Sequence, residues 1–233
     1  MVVNRDYESI VTNGLIYNLD GGFIPSYPTS GSTWTDVSLS ARTATLFNNP
    51  TYSSSSSGYI NFAKASSQYA TTSNIGTIQN WTIEAWVRFT SSLTGQVAMV
   101  IGNQFNGSTS INFTMGTNGA PGSYNIQVGF FQSGWYNTTG FAPALNTWYH
   151  VAGTYDGSTI RQYVNGNASG GTLSVTATLA SGGEVRLMRR WDDVVSSGNL
   201  IDGDLAITRI YNRVLSANEI STNFNAQKSR YGL

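Results

Sequence analysis

Apolar and polar positions alternate along most of the chain, a pattern that predicts β-strands rather than helices. The clearest case is residues 81–89. The apolar positions of this predicted strand are Trp81, Ile83, Ala85, Val87 and Phe89. The positions between them are Thr82, Glu84, Trp86 and Arg88. The first set is expected to face the core and the second set to face away from it.

A β-hairpin is predicted further along the chain. Its first arm, residues 148–155, is rich in aromatic and β-branched residues, which favour a pleated and half-buried strand. Residues 156–158, Asp-Gly-Ser, supply a tight turn, and residues 159–164 form the return arm. Asn165-Gly166 predicts a second turn. Because two such strands are not stable alone, the hairpin requires a larger sheet and a second layer.

Shorter apolar segments separated by Gly, Asn and Ser predict further strands. They are residues 14–19, 44–47, 59–62, 68–70, 97–101, 110–115, 124–131, 172–179, 184–188 and 204–211. Many short strands at such spacing are typical of an all-β sandwich or barrel. The loop before residue 44 is expected to be ordered by Phe23, Tyr27 and Trp34, since long loops without structure are uncommon in compact domains.

One helix is predicted near the C-terminus. Ser216 is placed to cap it, and Glu219 lies three residues later, where its side chain reaches back to the N–H of the cap. Leu215 and Ile220 are spaced as a hydrophobic staple. The helix is expected to end near Gln227 and to be anchored by Phe224, one turn after Ile220.

The composition favours one domain. The chain has 233 residues, of which 10% are charged, and single all-β domains of roughly 200–250 residues are common. Residues 1–9 are polar and are predicted to form a flexible or docking arm, followed by a single sandwich domain over residues 10–233. The serine run at 53–57 lies between strand-forming segments, so we interpret it as a loop within this domain.

Charge and cysteine content exclude several classes of function. The net charge is zero and no Lys/Arg-rich run is present, which argues against nucleic-acid binding. Cysteine is absent, so disulfides, thiolate metal sites and thiol catalysis are excluded together. No signal peptide and no long apolar run are apparent, so we expect a protein made in a cytoplasm without membrane insertion.

Three motifs resemble the laminin-G-like branch of the concanavalin A-like lectin/glucanase superfamily. They are WTIEAWV at 81–87, WYHVAGTYDG at 148–157 with YVNG at 163–166, and ITRIYNRVLSANEI at 207–220. The resemblance implies an antiparallel jelly-roll β-sandwich with one short C-terminal helix. Residues 11–20 and 223–232 resemble stand-alone members encoded by tailed bacteriophages. This implies a virion protein made in the host cytoplasm, with capsid or tail proteins of the same particle as partners.

The chain departs from relatives at two places. After Phe62 it has Ala-Lys-Ala-Ser-Ser-Gln where relatives carry an acidic stretch, so any calcium ligands from that stretch are missing. The strand with alternating carboxylates that the glucanase branch needs is also missing. Glu84 is the only acid inside a strong strand, and a glycosidase needs two carboxyl groups flanking the bond. We therefore predict no catalysis, with a glycan-cleaving enzyme as the alternative. The only histidine, His150, is interpreted as a packed residue.

Aromatic residues in loops are the candidates for binding host surface glycans, because aromatic faces beside a few polar groups suit sugar rings. They are Trp135 and Tyr136 in one segment, and Trp191 with Asp192 and Asp193 in another. Alternatively, these aromatics cover the rim of the sandwich or form a homo-oligomer interface. In that case the protein is a purely structural capsid cement without a sugar site.

Calcium is the cofactor that one loop of the sequence suggests. Asp202 and Asp204 place two carboxylates on one tight loop, where backbone carbonyls could complete an oxygen shell. The alternative is an ordinary Asp-Gly turn leading into a strand.

Overall fold

The computed structural model describes residues 10–103, 110–117, 124–179, 183–192 and 197–233. The predicted arm at 1–9 and the candidate ligand residue Asp193 lie outside these residues. The described strands are β1 Leu15–Asp20, β2 Thr33–Thr35, β3 Thr43–Phe47, β4 Thr51–Ser53, β5 Tyr59–Phe62, β6 Tyr69–Asn74, β7 Trp81–Phe89, β8 Met99–Asn103, β9 Ser110–Gly116, β10 Gln127–Gln132, β11 Trp135–Asn137, β12 Trp148–Tyr155, β13 Thr159–Val164, β14 Asn167–Ser174, β15 Glu184–Arg189 and β16 Gly203–Tyr211. One helix, α1, spans Ala217–Gln227.

The strands form two antiparallel sheets that pack as a sandwich. The first sheet has the order β14-β13-β12-β7-β16-β5-β4, with β1 also paired to β16. The second has the order β11-β10-β9-β8-β15-β6-β3-β2. Together with α1 this is the predicted all-β jelly-roll with one C-terminal helix.

The main core lies between the two sheets. All five apolar positions of β7 are fully buried in it, as the alternation predicts: Trp81, Ile83, Ala85, Val87 and Phe89. The second sheet contributes Phe113 and Phe130, which contact Trp81 and Tyr155 through their rings. Apolar side chains from both inner faces thus fill one continuous core.

The opposite face of β7 is buried as well, which corrects the prediction that it faces away from a core. Trp86 on this face is fully buried and stacks on Tyr231, with ring centroids 4.1 Å apart, and on Phe224, at 5.7 Å. The helix and the C-terminal residues therefore cover the outer face of the first sheet with a second apolar cluster.

The start of α1 confirms the sequence prediction in detail. The Ser216 side chain accepts a hydrogen bond from the Glu219 backbone N–H, and the Glu219 carboxylate accepts one from the Ser216 N–H. Leu215 and Ile220 are buried together. No helix in the described part of the chain is long and apolar enough to cross a membrane.

The central hairpin has the predicted bounds, but the strand after it does not. β14 begins at Asn167, directly after the Asn165-Gly166 turn, and ends at Ser174 instead of Leu179. The sequence pattern missed its first residues, 167–171, because they are polar and glycine-rich and follow an exposed edge rather than a core. The three-residue strands β2 and β11 were also missed, since so short a segment shows no alternation. β4 lies just before the serine run, where a strand-forming segment was predicted.

Candidate functional site

A pocket of about 210 Å³ lies on the face of the second sheet that is turned away from the core. Phe113 and Met115 of β9 point into the core. Side chains alternate along a strand, so Thr114 and Gly116 belong to the opposite face. The described residues that line the pocket are Thr114, Gly116, Thr117, Gln127, Trp135, Asn137 and Trp191. They come from β9 and the residue after it, from β10 and β11, and from the segment that follows β15.

Two of the predicted ligand-binding residues, Trp135 and Trp191, meet at this pocket. Their ring centroids are 4.7 Å apart and their planes cross at 61°, which is an edge-to-face arrangement. Trp135 is 42% exposed, and Phe131 supports its ring from the same sheet at 5.1 Å. The two indoles therefore form an aromatic corner whose surface is open to a ligand.

Strand geometry places Asn137 beside Trp135. The two residues are two positions apart in β11, so their side chains share a face. Gly129 of β10 pairs directly with Asn137, and a Cβ at this glycine would overlap the Asn137 side chain and the Tyr136 carbonyl oxygen. Glycine at position 129 thus lets the Asn137 side chain lie against the neighbouring strand.

Two amide groups in the pocket have an unused acceptor. Oε1 of Gln127 and Oδ1 of Asn137 are buried, and neither has a hydrogen-bond partner among the described residues. A buried polar atom without a partner is costly, by about 1–3 kcal/mol. Both atoms therefore favour a hydrogen-bond donor in the pocket.

Arg186 holds the segment that carries Trp191. This side chain from β15 is only 1% exposed. Its Nη1 donates to the backbone carbonyls of Arg190, at 3.4 Å, and of Asp192, while its Nε donates to Glu184 Oε1 at 3.0 Å. Two carbonyls, one on each side of Trp191, are thus tied to one buried guanidinium.

Replacing Arg186 with methionine is expected to loosen this segment. The two carbonyls lose this charged donor, and a hydrogen bond to a charged group contributes about 1.5–3 kcal/mol, so local hydrogen exchange should rise roughly tenfold or more. Hydrogen-exchange mass spectrometry of peptides covering 189–192 measures this. Arg186→Lys should restore part of the protection. Arg161→Met, in the first sheet, is the matched control, and equal exchange in both Met variants would refute the role of Arg186.

The other candidate ligand residues are not in the pocket. Tyr136 packs against Phe130, with centroids 5.4 Å apart, and does not line it. Asp192 pairs with Arg190, Oδ2 to Nη2 at 2.8 Å, beside the Trp191 ring. Asp193 lies outside the described residues. Of the five predicted ligand residues, the structure therefore brings Trp135 and Trp191 together in the pocket.

The two predicted calcium ligands have separate partners. The Asp202 carboxylate accepts from the backbone N–H of Lys64 at 2.6 Å and from Ser91 Oγ at 2.8 Å. Asp204 is buried and accepts from Arg88 Nε at 2.6 Å and Asn61 Nδ2 at 2.7 Å. No group of three or more His, Cys, Asp or Glu side chains suited to a metal occurs among the described residues. Calcium binding stays a prediction without support from this loop.

Glu84 lies far from the pocket, under α1 on the first sheet. It is 1% exposed and contacts Arg209 Nη1 at 2.9 Å, Asn223 Nδ2 at 3.1 Å and His150 Nε2 at 3.3 Å. Burial alone would raise the pKa of this carboxyl, but the hydrogen bonds and charges of His150 and Arg209 outweigh burial and lower the pKa to about 2. His150 is fully buried, as the sequence interpretation expected.

Sequence reasoning missed Gln127, Asn137 and Arg186. A signal for the first two existed. In the segment 124–131 the apolar positions Ile126, Val128 and Phe130 alternate with Gln127, and Asn137 is two residues from Trp135. Both patterns place an amide on the outer face. Nothing in the sequence indicates the role of Arg186, because its acceptors are backbone carbonyls of a segment without regular structure.

Comparison with solved structures identifies similar folds at low sequence identity. Domain 4 of AbnA, a GH43 extracellular arabinanase from Geobacillus stearothermophilus, in complex with arabinotriose, has a TM-score of 0.71 and 13% identity. That match covers 91% of this chain and 99% of the other. The binding domain of Botulinum Neurotoxin DC in complex with SialylT has a TM-score of 0.67 and 12% identity, covering 93% and 52%.

Trypanosoma rangeli sialidase is a third similar structure, with a TM-score of 0.63 and 18% identity. The match covers 95% of this chain but 34% of the sialidase, so the chain corresponds to about a third of that enzyme. At these identities the likeness shows the fold alone. The comparison with curated proteins gave no match.

A family model covers more than half of the chain. The model Laminin_G_3, described as the concanavalin A-like lectin/glucanases superfamily, matches residues 63–221. The matched range runs from the end of β5 to the middle of α1 and includes β9, β10, β11 and Trp191 around the pocket. The chain therefore belongs to the concanavalin A-like lectin/glucanases superfamily.

Proposed function

We propose that the protein is a non-catalytic carbohydrate-binding protein and that the pocket between Trp135 and Trp191 is its sugar site. The observation that carries this proposal is the meeting of two tryptophans from separate segments, 4.7 Å apart, above buried amide oxygens that have no partner among the described residues. An indole face packs against the C–H groups of a sugar ring, and amides bind its hydroxyl groups. The pocket offers both.

The similar structures support a sugar-binding role. The arabinanase domain was solved with arabinotriose and the neurotoxin binding domain with SialylT. The family itself is described by its lectins and glucanases. We propose that this chain recognises a sugar and does not cleave it.

The distribution of carboxylates favours binding over hydrolysis. Glycosidases need two carboxyl groups beside the scissile bond, about 5–9.5 Å apart. No carboxylate is found among the described residues that line the pocket. Glu84 is enclosed on the other sheet by Arg209 and His150, and its low pKa leaves it ionised rather than able to act as an acid near neutral pH.

We also propose that the protein acts on the surface of a bacteriophage particle. The support is the resemblance of residues 11–20 and 223–232 to stand-alone phage-encoded members. On a particle, many copies would convert a weak sugar affinity into firm attachment through avidity. The proposed partners are capsid or tail proteins on one side and host surface glycans on the other.

A glycan array with the purified protein, run once with calcium and once with chelator, tests the sugar site. The native chain should bind at least one class of glycan. The double variant Trp135→Ala/Trp191→Ala should lose at least about tenfold in affinity, because each indole supplies apolar contact area that alanine lacks. Loss of binding in chelator would restore Asp202 and Asp204 as calcium ligands.

Tyr136→Ala is the matched control. Tyr136 is 37% exposed and adjacent to Trp135, but it packs against Phe130 on the other side of the strand. This variant should keep its glycan binding. Undiminished binding by the double tryptophan variant would refute the site. The structural cement role would be favoured if the protein binds no glycan but binds purified phage particles and raises their heat stability.

A further inference from the structure

The pocket also indicates what kind of sugar it accepts, an inference that rests on the proposed function. Of the described residues that line it, none is charged. The similar structures were solved with ligands of both kinds, arabinotriose and a sialylated sugar. The chemistry of the lining distinguishes between a neutral sugar and an acidic one.

The unpaired atoms in the pocket are acceptors. Gln127 Oε1 and Asn137 Oδ1 are buried and without a partner among the described residues. A sugar hydroxyl donates and accepts, so it satisfies an amide in either orientation of the amide group. An ionised carboxylate only accepts, so it leaves an amide oxygen unpaired. The amide NH2 groups can donate to a carboxylate, but the two buried oxygens are satisfied only by a donor, so the polar groups of the pocket match hydroxyls better than an acid.

Arg190, the cation that contacts the Trp191 ring, is already paired with a carboxylate. Arg190 lies against the Trp191 ring, with its guanidinium carbon 4.9 Å from the ring centroid. Its Nη2 contacts Asp192 Oδ2 at 2.8 Å and its Nη1 donates to Asn199 Oδ1 at 3.2 Å. An acidic sugar would have to displace Asp192 to pair with this guanidinium. Because the described lining offers no charged side chain, bringing a carboxylate into the pocket carries an uncompensated desolvation cost.

The described part of the pocket has room for about one sugar ring. Pockets for drug-sized ligands occupy about 300–1,000 Å³, whereas this one has about 210 Å³. Trp135 and Trp191 close one side of it with rings that cross at 61°, so the aromatic surface forms a corner rather than a long platform. A corner contacts a single ring, while a platform would follow a chain of rings.

We infer that the pocket binds one uncharged sugar ring, whose hydroxyl groups donate to Gln127 and Asn137 while its apolar face packs against Trp135 and Trp191. Sialic and uronic acids are discriminated against. The ligand class is therefore a neutral monosaccharide unit, free or within a larger glycan.

Paired sugars that differ only in charge test this inference with the full chain. Suitable probes are methyl glucoside with methyl glucuronide, methyl galactoside with methyl galacturonide, and lactose with sialyllactose, measured by saturation-transfer NMR and calorimetry. At least one neutral member should bind, and its acidic partner should bind about tenfold more weakly or not at all, because the carboxylate meets no charged partner among the described residues that line the pocket. Gln127→Leu and Asn137→Ala should each weaken the neutral sugar by about tenfold.

Asn225→Ala is the control for the amide variants. Asn225 is exposed on α1, on the side of the other sheet, and its Nδ2 donates to Ser221 Oγ at 3.2 Å. It should bind as the native chain does. The inference would be overturned if the acidic members bind as well as or better than their neutral partners. It would also be overturned if Gln127→Leu and Asn137→Ala keep full affinity for the neutral sugar. In both cases the sugar-binding function stands. Binding of none of the probes, together with a silent glycan array, would remove the proposed function and this inference with it.

Discussion

Replacing Glu84 with glutamine is expected to lower the free energy of unfolding by roughly 3–5 kcal/mol, because one half of a buried ion pair is removed. Arg209 is fully buried and its Nη1 contacts Glu84 Oε1 at 2.9 Å. Its Nε is held by Asn18 Oδ1 at 3.2 Å, so the guanidinium cannot leave the interior without breaking other contacts. In the variant a positive charge stays in the interior opposite a neutral amide.

The same carboxylate joins separate parts of the chain. Asn223 of α1 donates to both oxygens of Glu84 at 3.1 Å, and Asn223 Oδ1 accepts from the Val11 backbone N–H at 2.8 Å. Tyr211 donates to the Val11 carbonyl at 3.0 Å. Loss of the charge therefore weakens the attachment of both the first described residues and the helix. Urea denaturation at neutral pH, followed by tryptophan fluorescence, measures the change in stability.

Lys64→Gln is the control for Glu84→Gln. Lys64 Nζ pairs with Asp202 at 3.4 Å, but both side chains are more than a fifth exposed. Such surface pairs contribute about 0–1 kcal/mol, so this variant should unfold close to the native midpoint. Equal midpoints for Glu84→Gln and the native chain would show that the buried cluster contributes nothing.

The pH dependence follows from the same cluster. The pKa of Glu84 is lowered from its usual 4.5 to about 2 in the folded protein. A carboxyl with a depressed pKa stabilises the fold fully above its unfolded pKa, and this stabilisation is lost as the pH falls toward the folded value. The native chain should lose stability between about pH 4.5 and 2. Glu84→Gln should lose less over that window, since its residue 84 does not titrate. Parallel curves for the two proteins would contradict the low pKa.

Trp86→Ala is expected to cost about 3–5 kcal/mol of stability, the range for removing a large buried aromatic side chain. Trp86 is fully buried and stacks on Tyr231 at 4.1 Å and on Phe224 at 5.7 Å. Alanine leaves a cavity between the first sheet and the C-terminal residues. Peptides covering 217–231 should therefore exchange faster than peptides from the second sheet, and the urea midpoint should fall.

The same substitution at Trp135 is the matched control. Trp135 is 42% exposed, so its loss removes little buried area and is expected to change stability by less than about 1 kcal/mol while removing sugar binding. Trp86→Ala should lower stability strongly and leave sugar binding at the pocket on the other sheet unchanged. A similar loss of stability in both variants would contradict the different roles assigned to the two tryptophans.

Much of the fold could be predicted because its signals are local. The hairpin Trp148–Tyr155 and Thr159–Val164 has the predicted bounds because its turn residues and strand residues are adjacent in sequence. The capping box of Ser216 and Glu219 is equally local. The site was predicted only in part: Trp135 and Trp191 line the pocket, whereas Tyr136 faces Phe130 and Asp192 pairs with Arg190.

By itself the sequence determined most of the longer strands, where the helix begins and which face of β7 enters the main core, because side-chain periodicity and turn chemistry act over a few residues. Only the tertiary structure decided that the other face of β7 is buried too, under α1 and Tyr231. It also decided that Trp191 reaches Trp135, through a segment held by Arg186. Both depend on contacts between residues far apart in the chain, and such contacts leave no periodic pattern in the sequence.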